Sequence, residues 1–185
     1  MARLPISVRR LAAHLRRGGL IAYPTESCYG LGCDPRNRRA VQRLLKIKGR
    51  PQRKGLILIA GRFDQLASYL QPLTSTQQEE LCSGGAQAVT FLMPARANCP
   101  RWLRGMYDTL AVRITAHPQA TALCNALDMA LVSTSANRSG DKPARTHVDC
   151  LRRFGGQALV LPGRVGKRRR PSTIRDWASG RIIRD

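Results

Sequence analysis

Acidic residues are scarce in this chain: 11 Asp and Glu stand against 32 Lys and Arg over 185 residues, a formal charge of +21. So lopsided a balance in one domain has two explanations, attraction to polyanions such as nucleic acid or a general basic bias. Aromatics are equally sparse, two Trp, four Tyr and three Phe, mostly within apolar segments, which argues against a reader that stacks single-stranded bases. No run approaches the roughly 20 apolar residues of a membrane span. Met1 to Arg17 mixes Arg with Leu, Ile, Val and Ala at helical spacing, with no continuous apolar core or cleavage-like site, which argues against a signal peptide. The six cysteines (Cys28, Cys33, Cys82, Cys99, Cys124, Cys150) form no C-x-x-C pair and no zinc spacing with histidine. Several lie inside apolar runs, as buried thiols do. A reduced, cytoplasmic protein is expected, without disulfides or a structural metal. There is no Walker loop, no G-x-G-x-x-G and no H-E-x-x-H. His14, His117 and His147 read as surface or capping residues, so nothing marks a Ser-His-Asp or Cys-His nucleophile.

What is present is an alternation of short elements in a chain that is 43% apolar, long enough to bury a core. Ser7 is placed to cap a helix with the apolar face Val8, Leu11, Ala12 and Leu15, stopped by Gly18-Gly19. Leu20 to Tyr23 reads as a buried strand broken by Pro24, followed by a Gly-, Ser-, Thr- and Pro-rich loop to Arg36. Asn37 caps a helix through Ala40, Val41, Leu44, Leu45 and Ile47 that ends near Gly49 and Pro51. Leu56 to Ala60 reads as a strand, Asp64 to Leu70 as a short helix and Gln77 to Cys82 as helical. Val89 to Met93 and Thr109 to Thr115 read as extended, and a helix to Leu127 follows His117-Pro118. Ala130 to Ser133 is a strand, Val148 to Phe154 a helix and Leu159 to Leu161 a strand; Ser172 to Trp177 and Arg181 to Ile183 form a hairpin around Ser179-Gly180. Strands alternating with amphipathic helices predict an α/β fold with one mixed sheet, a single domain over residues 1–185.

The charge is clumped. Nine of the nineteen residues from Arg36 to Lys54 are Lys or Arg, and Arg164 with Lys167 to Arg170 forms a second cluster. A solvated helix end with favourable dipole interactions accounts for Lys46 and Lys48 but poorly for Arg50 and Lys54, which lie beyond the helix stop. The loop Pro24 to Gly32 leaves the end of a buried strand, where ligands collect in open α/β sheets, although an ordinary turn has the same composition. Thr109, Ala111, Arg113 and Thr115 share one face of their strand, opposite Leu110, Val112 and Ile114. Arg113 is therefore either on the wet face of an edge strand or half-buried against an anion, where its planar fork suits a carboxylate. Ser133 to Asn137 follows a strand and offers hydroxyls and an amide.

Four segments in order carry more than any one alone: Pro24-Thr25-Glu26 with Tyr29-Gly30-Leu31-Gly32, Lys48-x-Arg50-Pro51, Leu110-Ala111-Val112-Arg113, and Ser133-Thr134-Ser135-Ala136-Asn137-x-Ser139-Gly140. With them the chain resembles, from about Ile6 to its C-terminus, the YrdC/TsaC family of threonylcarbamoyl-AMP synthases in its short bacterial form. The resemblance implies a twisted mixed sheet with flanking helices around a positively charged cavity. It also implies condensation of L-threonine, bicarbonate and ATP, with Mg2+ on the phosphates. A tRNA-modifying transferase would be the downstream partner, serving tRNAs that read codons beginning with A. By position, Lys48, Arg50 and Lys54 match the ATP-phosphate cradle, with Lys48 and Arg50 catalytic. Thr109, Asn137 and, with a one-residue offset, Thr146 match nucleotide contacts. Ser27, Arg113, Ser135 and Ser172 match the threonine pocket, with Arg113 on the carboxylate.

The sequence departs from the family pattern in two places. Ser27 stands where many relatives have threonine and keeps the hydroxyl, and Ser83 to Thr90 lacks the usual Trp and Pro-Gly-Pro turn. Gly55 after Lys54 matches the short form. The main rival is a module that grips double-stranded RNA or tRNA without turnover, supported directly by the +21 charge. A carbamoyl-adenylate-forming relative from metal-cofactor maturation is a third class, whose context is a much longer chain.

Overall fold

The computed structural model describes residues 6–85 and 87–185; Met1 to Pro5, and Ala86 within the Ser83 to Ala88 loop, lie outside the described residues. Helix α1 (Val8–Arg16) begins after Ser7 and places Leu11 and Leu15 in the core, but the Ser7 hydroxyl makes no capping bond. Strands β1 (Ile21–Pro24) and β2 (Tyr29–Cys33) then form an antiparallel hairpin. The second of these strands is a correction, because the segment Pro24 to Arg36 reads as loop from composition. Gly30 and Gly32 suppress the strand signal yet serve the sheet: a Cβ on Gly32 would collide with the Val132 carbonyl and lie 3.0 Å from the Tyr23 ring.

Helix α2 (Arg38–Lys48) matches its signals closely. The Asn37 side chain accepts from the Ala40 amide at 3.0 Å, and Gly49 ends the helix in the left-handed region at φ +61°. A 3-10 turn (Gln52–Lys54) leads to β3 (Ile57–Ala60). The short helix expected at Asp64 to Leu70 is only a 3-10 turn (Phe63–Gln65) followed by further turns, closed by i to i+3 bonds such as Tyr69 N to Leu66 O. Helix α3 (Ser75–Ser83) starts with a Thr74–Gln77 capping box, and β4 (Val89–Pro94) follows. A one-turn helix without an amphipathic signal, α4 (Arg101–Arg104), precedes β5 (Thr109–Ile114). Helix α5 (Pro118–Leu127) has proline in its first turn, and β6 (Leu131–Ser135), α6 (His147–Phe154), β7 (Leu159–Val160), β8 (Thr173–Asp176) and β9 (Ile182–Arg184) complete the chain.

Among the described residues nine strands form one mixed sheet in the order β7-β1-β2-β6-β3-β5-β4-β8-β9. Period-2 alternation divides its two faces. Ile59 and Leu131 join Leu11, Leu15, Leu123 and Cys124 under α1 and α5, whereas Leu58 and Val132 join Val41, Leu44, Leu81 and Phe154 under α2, α3 and α6. Five of the cysteines are buried thiols and Cys82 is exposed. No helix among the described residues is long and apolar enough to cross a membrane. The connection from β7 to β8 must pass six strands, from one side of the sheet to the far side. It does so as an extended strap over the end of β1.

Candidate active site

Lys48 and the Ser135–Asn137 turn, 87 to 89 residues apart in sequence, meet directly. The β2–β6 pairing sets Ser135 opposite Gly30, and the Ser139 amide donates to the Lys48 carbonyl at 2.9 Å, so backbone bonds fix the approach. The Lys48 Nζ then donates to Ser135 O (2.8 Å), Ser135 Oγ (3.2 Å), Asn137 O (2.9 Å) and Asn137 Oδ1 (2.8 Å), while Ser135 Oγ donates to Asn137 Oδ1 at 2.6 Å. An ammonium has three protons for these four oxygens, one acceptor more than it can serve at once. Lys48 is 5% exposed. Burial first, and then the charge of Arg50, pushes it down to about 8.

Arg50 crosses its own loop. Its Nε donates to the Gly55 carbonyl at 3.0 Å and its Nη2 to the Lys54 carbonyl at 3.2 Å, leaving Nη1 without a partner among the described residues. Lys54 is exposed on the 3-10 turn. A shallow groove beside this loop, lined by Gln42, Leu45, Lys46, Gly49, Arg50, Pro51 and Gln52, includes only Arg50 among the expected site residues, so it is not the centre of the site.

Of the two positions that its alternation allows, Arg113 takes the one against an anion, and that anion is a carboxylate of the chain itself. β5 is an interior strand between β3 and β4, and Arg113 is 9% exposed with an internal counter-ion, Glu26, whose Oε2 lies 3.3 Å from its Nη2. Glu26 Oε1 accepts from the Thr115 hydroxyl at 2.7 Å. Burial pushes the Glu26 carboxyl up, but Arg113, Thr115 and nearby His117 outweigh it and hold the group below the usual carboxylate range. The His117 Nε2 pairs with the Arg164 carbonyl at 3.0 Å, which ties this floor to the strap.

Ser172 is buried at the entry to β8, where it accepts from the Thr90 hydroxyl at 2.9 Å and from Arg184 Nη2 at 3.3 Å. Arg184, from β9, is lowered by burial and then by the charges of Arg113 and Arg50, so three guanidinium groups converge on one region. Ser27 adjoins Glu26 and reaches only the Cys28 sulfur, at 3.8 Å. Three expected residues stand apart in contact terms. Among the described residues the Lys54 side chain has no bonded partner, Thr109 begins β5 opposite Pro94, and the exposed Thr146 hydroxyl caps α6 by accepting from the Asp149 amide at 3.1 Å. Glu26, Thr115, Thr90 and Arg184 are the site residues that sequence reasoning does not single out. Thr115 was legible, since it shares Arg113's face, but nothing in the sequence marks Arg184.

This combination defines an α/β protein with a polar floor lined by cations and hydroxyls. The sequence model of the Sua5_yciO_yrdC family, described as telomere recombination, matches residues 13–185, and the chain belongs to that family. It is 54% identical over 176 residues to the threonylcarbamoyl-AMP synthase of Methylobacillus flagellatus, covering 95% of this chain and 98% of that one. With the enzyme of the same name from Thiobacillus denitrificans it shares 52% identity over 174 residues, 94% of this chain and 93% of the other. Among solved structures, P. abyssi Sua5 complexed with L-threonine matches with a TM-score of 0.81 at 29% identity, over 95% of this chain and 52% of that longer one. The chain thus spans about half of that protein.

Proposed function

We propose that this chain is an L-threonylcarbamoyladenylate synthase, a nucleotidyltransferase that joins L-threonine, bicarbonate and ATP into threonylcarbamoyl-AMP and pyrophosphate. The observation that supports this most is the junction of Lys48 with the Ser135–Asn137 turn beside Arg50 and Arg113. It sets cations for phosphates and a guanidinium for a carboxylate around one floor. The relatives named for this activity agree with it.

In the first step threonine's ammonium and bicarbonate condense. A nitrogen–carbon bond forms, one water leaves and one proton is released, giving a carbamate. A carbamate oxygen then attacks the α-phosphorus of ATP, the bond to the bridging oxygen breaks, and pyrophosphate departs. No protein nucleophile is required; what is required is alignment of two anions and cations where charge accumulates. Lys48, Arg50 and Lys54 take the phosphates, while Thr109, Asn137 and Thr146 take the nucleotide. Arg113 takes the threonine carboxylate, with Ser27, Ser135 and Ser172 around it. Lys48 can exchange its surplus oxygen for a phosphate oxygen and still hold the turn. Magnesium would arrive with ATP. Among the described residues no three His, Cys, Asp or Glu side chains gather to hold a cation, so no step is assigned to the metal. The adenylate then passes to a transferase that modifies tRNA, and exposed Arg138, Arg145, Lys167 and Arg169 offer phosphate contacts for direct tRNA binding.

The test is pyrophosphate release with ATP, bicarbonate and threonine, omitting each in turn. All three are expected to be required, and Lys48→Ala or Arg50→Ala should each cost about a hundredfold, the scale of one lost charge-stabilising donor. Release that ignores threonine rejects the synthase, and tight RNA binding without turnover favours the RNA-gripping module.

A further inference from the structure

Four buried side-chain atoms among the described residues have no hydrogen-bond partner: Tyr23 Oη, Glu26 Oε2, Arg113 Nε and His117 Nδ1. Such atoms are costly, and a fold keeps them where a ligand or water completes them. These four are gathered in one place. Arg113 and His117 both act electrostatically on Glu26, and Arg113 acts on Tyr23.

The Arg113–Glu26 pair has an unusual form. A guanidinium normally meets a carboxylate as a fork, two parallel N–H groups on two oxygens. Here Thr115 turns Oε1 away at 2.7 Å, and the only approach is Arg113 Nη2 to Oε2 at 3.3 Å. The result is an N–H donor and a carboxylate oxygen, both uncommitted, on side chains only 10% and 14% exposed. A donor cation beside an acceptor anion is the complement of an α-amino acid zwitterion: carboxylate on Arg113, nitrogen on Glu26.

We propose that Glu26 is the acceptor for the substrate's α-amino nitrogen, and that with Arg113 it forms a clamp reading both ends of the amino acid. This rests on the threonine pocket proposed above. Glu26 acts by position and not as a proton carrier. Its carboxyl is held below the usual range, so it stays ionised at neutral pH. The nitrogen keeps at least one N–H as ammonium, amine and carbamate alike, so one N–H···Oε2 bond can persist while the other protons leave. That bond fixes the nitrogen while its lone pair meets the incoming carbon. It also explains why the fold tolerates a carboxylate in a cleft otherwise lined by Lys48, Arg50, Arg113 and Arg184.

The probes are L-threonine and 3-hydroxybutyrate, the same carbon skeleton without the amine, titrated calorimetrically into wild-type protein and Glu26→Gln. Wild type is expected to favour threonine by about tenfold to a hundredfold, the worth of one hydrogen bond to a charged group. Glu26→Gln should lose that preference, binding threonine correspondingly more weakly and 3-hydroxybutyrate at least as well as wild type. Equal weakening of both ligands would mean that Glu26 only braces Arg113, and overturns the proposal while leaving the threonine pocket intact. Unchanged threonine affinity in Glu26→Gln overturns it as well. Wild type alone is decisive if it binds both compounds equally, which rejects the clamp whatever the variant's folding. Binding of neither compound rejects the threonine pocket and the clamp together.

Discussion

Lys48 serves two partners that compete for its protons. Its ammonium holds the Ser135–Asn137 turn through four oxygens, and in the proposed reaction it must also meet a phosphate. Burial and Arg50 push it down to about 8, so a fraction of the molecules loses this cation under mildly alkaline conditions. The sign is fixed: below that value Lys48 is charged and binds phosphate, and above it the neutral amine does not. Affinity for ATP alone should therefore fall as pH rises through about 8, while ATP itself, whose last phosphate proton is gone by about pH 7, contributes no change. Measuring binding without threonine keeps the substrate amine out of the profile. Saturating ATP should move the limb to higher pH, because phosphate charge favours the ammonium form. A nucleotide affinity that is flat from about pH 7 to 9.5 would remove Lys48 from the phosphate site. Residue identity was legible here because Lys48, Ser135 and Asn137 sit in recognisable segments; the four bonds from Lys48 to the other two were not, since only the β2–β6 register creates them.

The strap between β7 and β8 is the element on which the site's shape depends. Tyr29 Oη donates to the Gly163 carbonyl at 2.8 Å, and the amides of Gly166 and Arg168 donate to the carbonyls of Thr25 and Glu26 at 2.9 and 3.2 Å. Gly166 permits this contact, for a Cβ there would lie 2.6 Å from the Glu26 carbonyl oxygen and 3.0 Å from its Cα. Gly166→Ala must push the strap off the Thr25–Glu26 backbone. The expected cost is about 1–3 kcal/mol, with faster trypsin cleavage within Arg164 to Arg170 and a raised threonine requirement. Cleavage and threonine KM at wild-type values would show that the strap does not support the pocket. This strap is where sequence reading stops. Its amides at Gly166 and Arg168 pair with backbone carbonyls just beyond the distant strand β1, and carbonyls leave no side-chain pattern. Strand β2 was hidden for a related reason: the glycines that let it pack against β6 and Tyr23 are residues that weaken a strand signal. By contrast α2, α5 and β5 carry periodicity, caps and stops within their own residues, and their limits agree with the sequence to within a residue or two.

At the scale of the whole molecule, charge is an unbalanced load. If every acidic group found a partner, 21 cations would still face one another. Two populations of these should answer differently to solution conditions. Exposed cations such as Arg138, Arg145 and Arg169 repel through water, and salt screens them over about 10 Å at 0.1 M. Arg50 and Arg113 are partly withdrawn from solvent and their charges disfavour that of Arg184, a load that ions in bulk relieve poorly but a bound polyphosphate relieves directly. Raising NaCl from about 10 mM to about 0.3 M should therefore raise the melting midpoint by a few degrees. ATP at about a hundred times its Kd should add about 2.7 kcal/mol, or roughly 5–10 °C for a chain of this length. Arg50→Ala should keep the salt response and lose most of the ATP increment, because only the second population has been altered. A midpoint that falls with salt would mean that surface ion pairs outweigh repulsion, contrary to what so few acidic groups allow. An ATP increment that survives in Arg50→Ala would place the nucleotide elsewhere on this positive surface.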